Sequence, residues 1–169
     1  MGYKYGVWYT YQKDLFPTIH QGHFTITCYM EKEEAINLYH NIKNKYGILT
    51  EITIDRNKPI IFEANMYEDD DNNLQSWGYN GENKNWKNLE EIAKKYKCNF
   101  SHQPHTSIYY SKSEEEIINQ VQQIQNKNKN KKETQINCEL NVVDICSDNP
   151  IEWTIIDTIS DTISDTLIN

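Results

Sequence analysis

HQGHFTITCYM, residues 20–30, opens on two histidines and runs into a segment rich in β-branched and aromatic residues. Residues two apart on a strand point to one face, so His23, Thr25, Thr27 and Tyr29 should share a polar face. Phe24, Ile26, Cys28 and Met30 should share an apolar face that lies under helices. The stretch HQPHTSIYYSK, residues 102–112, repeats the pattern 82 positions later. There His105, Ser107, Tyr109 and Ser111 form the polar side, with Ile108 and Tyr110 behind. Four of the chain's five histidines lie in these two segments.

The likeness continues past the strands. At the same shift Gln21 matches Gln103, Ile26 matches Ile108, Glu33 and Glu34 match Glu115 and Glu116, and Ile36 and Asn37 match Ile118 and Asn119. The apolar positions Ala35, Tyr39 and Ile42 stand opposite Ile117, Val121 and Ile124. A strand-then-helix unit therefore occurs twice. A duplicated unit packs its copies about a pseudo-twofold axis, which brings His23 and His105 face to face.

Around this repeat, Tyr3–Gln12, Leu49–Asp55, Pro59–Met66, Gln135–Cys146 and Glu152–Ile156 read as further strands. Helices are expected over Glu31–Tyr46, stopped by Gly47, and over Trp86–Lys97. A third runs from Ser113 to about Gln125, opened by a Ser113/Glu116 capping box. YEDDDNNLQSWGYNGENKN, residues 67–85, carries an acidic run and turn residues and reads as an exposed loop. NKNKNKK, residues 126–132, is a low-complexity polar loop.

At 169 residues the chain suits one domain with a sizeable core, and twelve tyrosines and four tryptophans supply much of its apolar mass. The formal charge of −8 argues against tracking along extended DNA or RNA, which requires a basic face. A small anionic ligand in a local pocket remains compatible. Cys28, Cys98, Cys138 and Cys146 match no CxxC spacing and read as reduced structural thiols. MGYKYGVWYTYQ lacks a signal-peptide apolar core, and Gly6 stands where a myristoylation signal needs Ser or Thr. A cytoplasmic monomer with no membrane partner is the expectation.

HFTI (23–26) and HTSI (105–108) resemble the paired H-x-[ST]-hydrophobic motifs of the 2H phosphoesterase superfamily, the LigT-like fold. The resemblance spans roughly Tyr3 to Asp157. It implies an α+β, bilobal LigT-like fold: two antiparallel sheets about a pseudo-twofold cleft, with helices packed outside. Residues 1–157 would form this single domain and residues 158–169 a repetitive C-terminal tail. It also implies a phosphodiesterase that works without metal or other cofactor on a small nucleotide or RNA end. Such substrates include a 2′,3′-cyclic phosphate, a 2′-5′ oligoadenylate or a cyclic dinucleotide. The catalytic residues carried over are His23, Thr25, His105 and Ser107, with serine at 107 keeping the hydroxyl of the commoner threonine.

The chemistry suits these residue types. Displacement at phosphorus needs one base and one acid, and two imidazoles with ordinary pKa near about 6.5 can supply both. Hydroxyls two residues on can donate to the non-bridging oxygens. Which histidine is base and which acid depends on substrate orientation, which the sequence does not give. Tyr9, Tyr29 and Tyr109 are candidates to stack on a base, with ordinary packing as the alternative.

Two other functional classes compete. One is a non-catalytic nucleotide-binding module on the same fold. The other is a metal-dependent hydrolase using the H-x-x-H pairs His20/His23 and His102/His105. Positions three apart on a strand face opposite ways, Gly22 and Pro104 disfavour a helical turn, and the zincin glutamate is absent, so no metal is expected. His20 and His102 are read as surface or loop-anchoring residues, and Trp153 as core or cleft edge. The Lys, Asn and Ile bias points to an AT-rich genome, as in many viruses, and viral members of the resembled family often degrade immune-signalling nucleotides.

Overall fold

The computed structural model describes residues 4–18, 20–63, 75–127, 133–147 and 150–156. The strands are β1 (Tyr5–Thr10), β2 (His23–Met30), β3 (Leu49–Asp55), β4 (Ile60–Glu63), β5 (Gln75–Glu82), β6 (Asn99–Phe100), β7 (His105–Ser111), β8 (Glu133–Asp144) and β9 (Thr154–Ile155). The helices are α1 (Lys32–Tyr46), α2 (Trp86–Ala93) and α3 (Glu114–Lys127). The two histidine strands begin and end where their alternation predicts.

β8 is the longest strand and organises the sheet. It pairs along one side with β1 and along the other with β3, burying Ile136, Cys138, Leu140 and Val142 at every second position. Every strand pairing is antiparallel, and the path runs β4-β5-β3-β8-β1-β2-β6, with β7 added to β5 and β9 to β8. The fold is therefore α+β with three helices and one curled antiparallel sheet among the described residues. Two sheets were expected, yet the β3–β5 junction, Thr53 with Glu82 and Ile54 with Gly81, joins them. Curling sets β2 against β7 although they are not neighbours in the ladder. Just past the end of β1, the Tyr11 hydroxyl stands 2.7 Å from Thr106 Oγ1 of β7, a buried bond beside that contact.

The helices follow from local chemistry. α1 buries Ala35, Leu38, Tyr39 and Ile42 on one stripe, places Glu33 and Glu34 in its first turn and Lys43 and Lys45 in its last. Gly47 ends it at φ 78°, its N–H donating to Lys43 O at 2.8 Å. Half of the expected capping box opens α3. Ser113 Oγ accepts from the Glu116 N–H at 3.3 Å, while the Glu116 carboxylate turns to the hydroxyls of Tyr109 and Ser111 at 2.6 and 2.8 Å.

The expected loop at 67–85 is the chief error. From Gln75 it is β5, a strand paired with β4, β3 and β7, with Ser76 to Tyr79 all buried. Gly78 reads as turn punctuation but marks a close approach of backbones. A Cβ there would lie 1.7 Å from Thr106 O. Gly78→Ala must push β5 and β7 apart, and about 3 kcal/mol of stability should be lost in urea unfolding; an unchanged midpoint would refute this packing.

Smaller differences are local. The helix at 86 stops at Ala93 rather than Lys97, and the last strand begins as a 3-10 turn over Pro150–Glu152. β6 was not foreseen. The first two residues of the expected loop at 126–132 belong to α3. The remainder of that loop, the continuation of β4 to Met66, the acidic run and the tail at 158–169 lie outside the described residues. No helix among the described residues is long and apolar enough to cross a membrane.

Candidate active site

Packing divides by sheet face. The larger core, with Tyr9, Phe24, Ile26, Ile108 and Ile136, lies under the helices. A smaller cluster of Trp8, Val143, Ile145 and Trp153 is separate from it and borders a cleft of about 550 Å³. His23, Thr25, His105 and Ser107 all line this cleft. The expected catalytic quartet is thus brought together, contributed by β2 and β7.

Both strands bulge immediately after the hydroxyl residue. On β2 the register runs Trp8 with Thr25, then Val7 with Thr27; on β7 it runs Gly78 with Ser107, then Trp77 with Tyr109. The extra residue, Ile26 or Ile108, switches the parity of everything beyond it. The cleft-lining sets become His23, Thr25, Cys28 and Tyr29 on β2 and His105, Ser107 and Tyr110 on β7, the first three of each identically spaced.

Four sequence expectations change, the first three because of these bulges. Thr27 is buried, its hydroxyl donating to Met30 Sδ at 3.1 Å. Cys28 lines the cleft instead of backing it, and burial pushes its thiol up to about 12. Tyr109 is replaced in the cleft by Tyr110. Tyr9 belongs to the main core, whereas its neighbour Trp8 faces the cleft. Tyr29 does line the cleft, at φ 58° beside a second register shift.

The two imidazoles are wired alike. His23 Nδ1 lies 2.8 Å from Gln21 O, and His105 Nδ1 lies 3.2 Å from Gln103 O. A carbonyl only accepts, so each Nδ1 carries the proton, and Nε2 is the nitrogen available for chemistry. Ser101 Oγ adds a longer contact to His105 Nδ1 at 3.4 Å. The glutamine side chains hold the loops that present these carbonyls. Gln21 Nε2 donates to Tyr11 O at 2.7 Å, and Gln103 Nε2 donates to Gly81 O at 2.6 Å. Backbone bonds repeat the pattern, from Tyr11 N to Gly22 O and from Gly81 N to Pro104 O. Gln21 and Gln103 matched in the sequence repeat, but only the folded loops show what they do.

The surroundings of the rings differ. Trp8 stacks on His23 with centroids 3.5 Å apart and planes 6° from parallel, while Trp153 and His20 meet it edge-on. His23 is only 6% exposed. Burial pushes its pKa down to about 3, a fall that positive charge on His20 or His105 reinforces and the Gln21 carbonyl opposes. His105 is half-buried and rests at a tilt against Phe62, centroids 4.9 Å apart.

The remaining histidines separate clearly. His20 is buried and anchors its loop across the cleft, Nε2 donating to Ser107 O at 2.9 Å. Burial lowers its pKa, and that hydrogen bond opposes the shift. His102 is exposed near Glu90 at 3.2 Å, and His40 is half-buried on α1. Ser107 Oγ sits 3.1 Å from Ser76 Oγ, and the Tyr110 hydroxyl bonds to Ser107 as well. The cleft is lined by hydroxyls and aromatic rings, with no Lys, Arg, Asp or Glu among its described residues.

As a metal site the H-x-x-H pairs lack support from geometry. The His20 and His23 rings stand 6.2 Å apart edge-on, and the His20 Nε2 is taken up by Ser107 O. Among the described residues no three His, Cys, Asp or Glu side chains converge. All four cysteines are free thiols. No protein-family model matches the chain, and no curated protein matches it in sequence.

Proposed function

We propose that the protein is a metal-independent phosphodiesterase acting on a small nucleotide diester, with His23 as general base and His105 as general acid. The reading joins the bilobal LigT-like arrangement suggested by the sequence to one structural observation. Two histidines from equivalent bulged strands share a cleft, each with Nδ1 tied to the carbonyl two residues before it.

The asymmetry of the rings supports the roles. A buried, neutral His23 can accept a proton at Nε2 but has none there to give. The attacking water loses its proton to His23 as its oxygen bonds to phosphorus. The bond from phosphorus to the leaving oxygen breaks, and His105 Nε2–H protonates that oxygen. Proton exchange with solvent then restores both rings. A bound phosphate anion favours the imidazolium form of His23, raising its basicity when substrate is in place.

Thr25 and Ser107 are the donors assigned to the non-bridging oxygens. Thr25→Val should lower kcat by about 10²-fold with a smaller change in KM, the pattern of a hydrogen bond that strengthens in the transition state. Equal kinetics for the variant would remove Thr25 from that role.

Charge argues for a diester. A single imidazolium matches the one negative charge of a phosphodiester, whereas no fixed cation among the described lining residues meets a monoester dianion or a triphosphate. The more highly charged product is then held less well than the substrate. Aromatic rings from Trp153, Phe62, Phe100 and Tyr29 offer faces for a base or sugar. Titrating a 2′,3′-cyclic mononucleotide into the protein and separating the products tests the reading. Conversion to one monoester supports catalysis, and binding without conversion supports the nucleotide-binding module instead.

A further inference from the structure

The two halves of the cleft differ at one telling position. Pairing Trp8 with Thr25 and Gly78 with Ser107 makes Trp8 and Gly78 equivalent across the repeat. The same alignment sets Tyr9 against Tyr79, both buried. One half therefore lays an indole flat on its histidine, and the other has no side chain there and no room for one.

We propose that Trp8 is a positioning residue that separates the roles of the two histidines, committing His23 to accept the proton and leaving His105, whose half of the cleft has Gly78 in place of the indole, to deliver one. It deepens the phosphodiesterase reading and rests on it. A flat stack excludes water from a whole face of the imidazole, and Trp153 and His20 close the edges. With Nδ1 fixed by Gln21 O, the ring keeps a single tautomer and orientation. The indole face also attracts an imidazolium, but the hydration lost by so buried a ring is larger, so burial sets the sign and His23 stays neutral.

Other charged groups act on His23 less than burial does. The titratable groups around His23 are His20 from the preceding loop, Cys28 on its own strand, and His105 and Tyr110 on β7. Positive charge on either neighbouring histidine acts in the same direction as burial. No carboxylate among the described residues lines the cleft to pull the other way.

NMR titration of the ring carbons and nitrogens of the histidines, without substrate, tests the proposal. Wild-type His23 should remain the neutral Nδ1–H tautomer down to at least about pH 5. Trp8→Ala, which copies the Gly78 side, should admit water and raise the His23 midpoint by at least about one pH unit. Trp8→Phe, which keeps a ring over the imidazole, should preserve most of the wild-type behaviour. If Trp8→Ala fails to fold, Trp8→Leu supplies the comparison, with an intermediate rise expected. The acid limb of kcat/KM should move with that midpoint. An ordinary midpoint in wild type, or one unmoved by loss of the indole, overturns the role of Trp8. Because the titration uses no substrate, a failure to find turnover would count against the phosphodiesterase reading alone.

Discussion

Replacing either His23 or His105 by alanine should lower kcat on a nucleotide diester by about 10²- to 10⁴-fold, the range for losing a positioned acid or base. On the proposed mechanism, in which both groups act in one transition state, the double variant should be little worse than the poorer single one. His105 is half-buried, so His105→Ala should leave the unfolding midpoint close to wild type. His23→Ala removes the partner of the Trp8 stack and should cost some stability, so its circular dichroism must be matched before rates are compared. Full activity in either folded variant contradicts the two-histidine reading. A raised KM with unchanged kcat in His105→Ala would reduce His105 to a binding group.

The second large effect is on stability in acid. The pKa of His23 falls in the folded protein to about 3, from an unfolded value of about 6.5. Above both values the ring is neutral in either state and contributes no pH dependence. As the pH falls below about 6.5 the unfolded chain takes up a proton that the folded chain refuses. Stability is therefore lost progressively until the folded value is reached. From pH 7.5 to 5 this single group should remove about 2 kcal/mol, before most carboxylates titrate. His20, shifted the same way, adds to the loss. Urea unfolding across that range should show the fall in wild type and a shallower one in His23→Gln. A flat wild-type profile, or the same slope in the variant, would mean that His23 is not the buried neutral ring described.

Much of this site was legible before the fold was known. The spacing of His23 and Thr25 against His105 and Ser107 marked four side chains that share one cleft. The strand limits around them followed from period-two alternation. What the period could not foretell was where it breaks. A bulge at Ile26 and another at Ile108 exchange Thr27 for Cys28 and Tyr109 for Tyr110, and bulges leave no mark in an apolar pattern.

Trp8 was missed for a different reason. Within YGVWYT both tryptophan and tyrosine suit a strand, and only the β1–β2 register decides which of Trp8 and Tyr9 reaches the histidine. β5 was missed because glycine at 78 has two opposite meanings. It can open a turn, or it can let two backbones approach within the space of a missing Cβ, as it does here. Both lessons concern long-range pairing, which local propensity does not encode.

The most direct test of the central claim is a product-resolved assay of three diesters, a 2′,3′-cyclic mononucleotide, a 2′-5′-linked oligoadenylate and a cyclic dinucleotide, with excess chelator present. Turnover of at least one is expected at an undiminished rate, with products showing cleavage at a single P–O bond. No turnover of any of the three, or turnover that chelator abolishes, would contradict it.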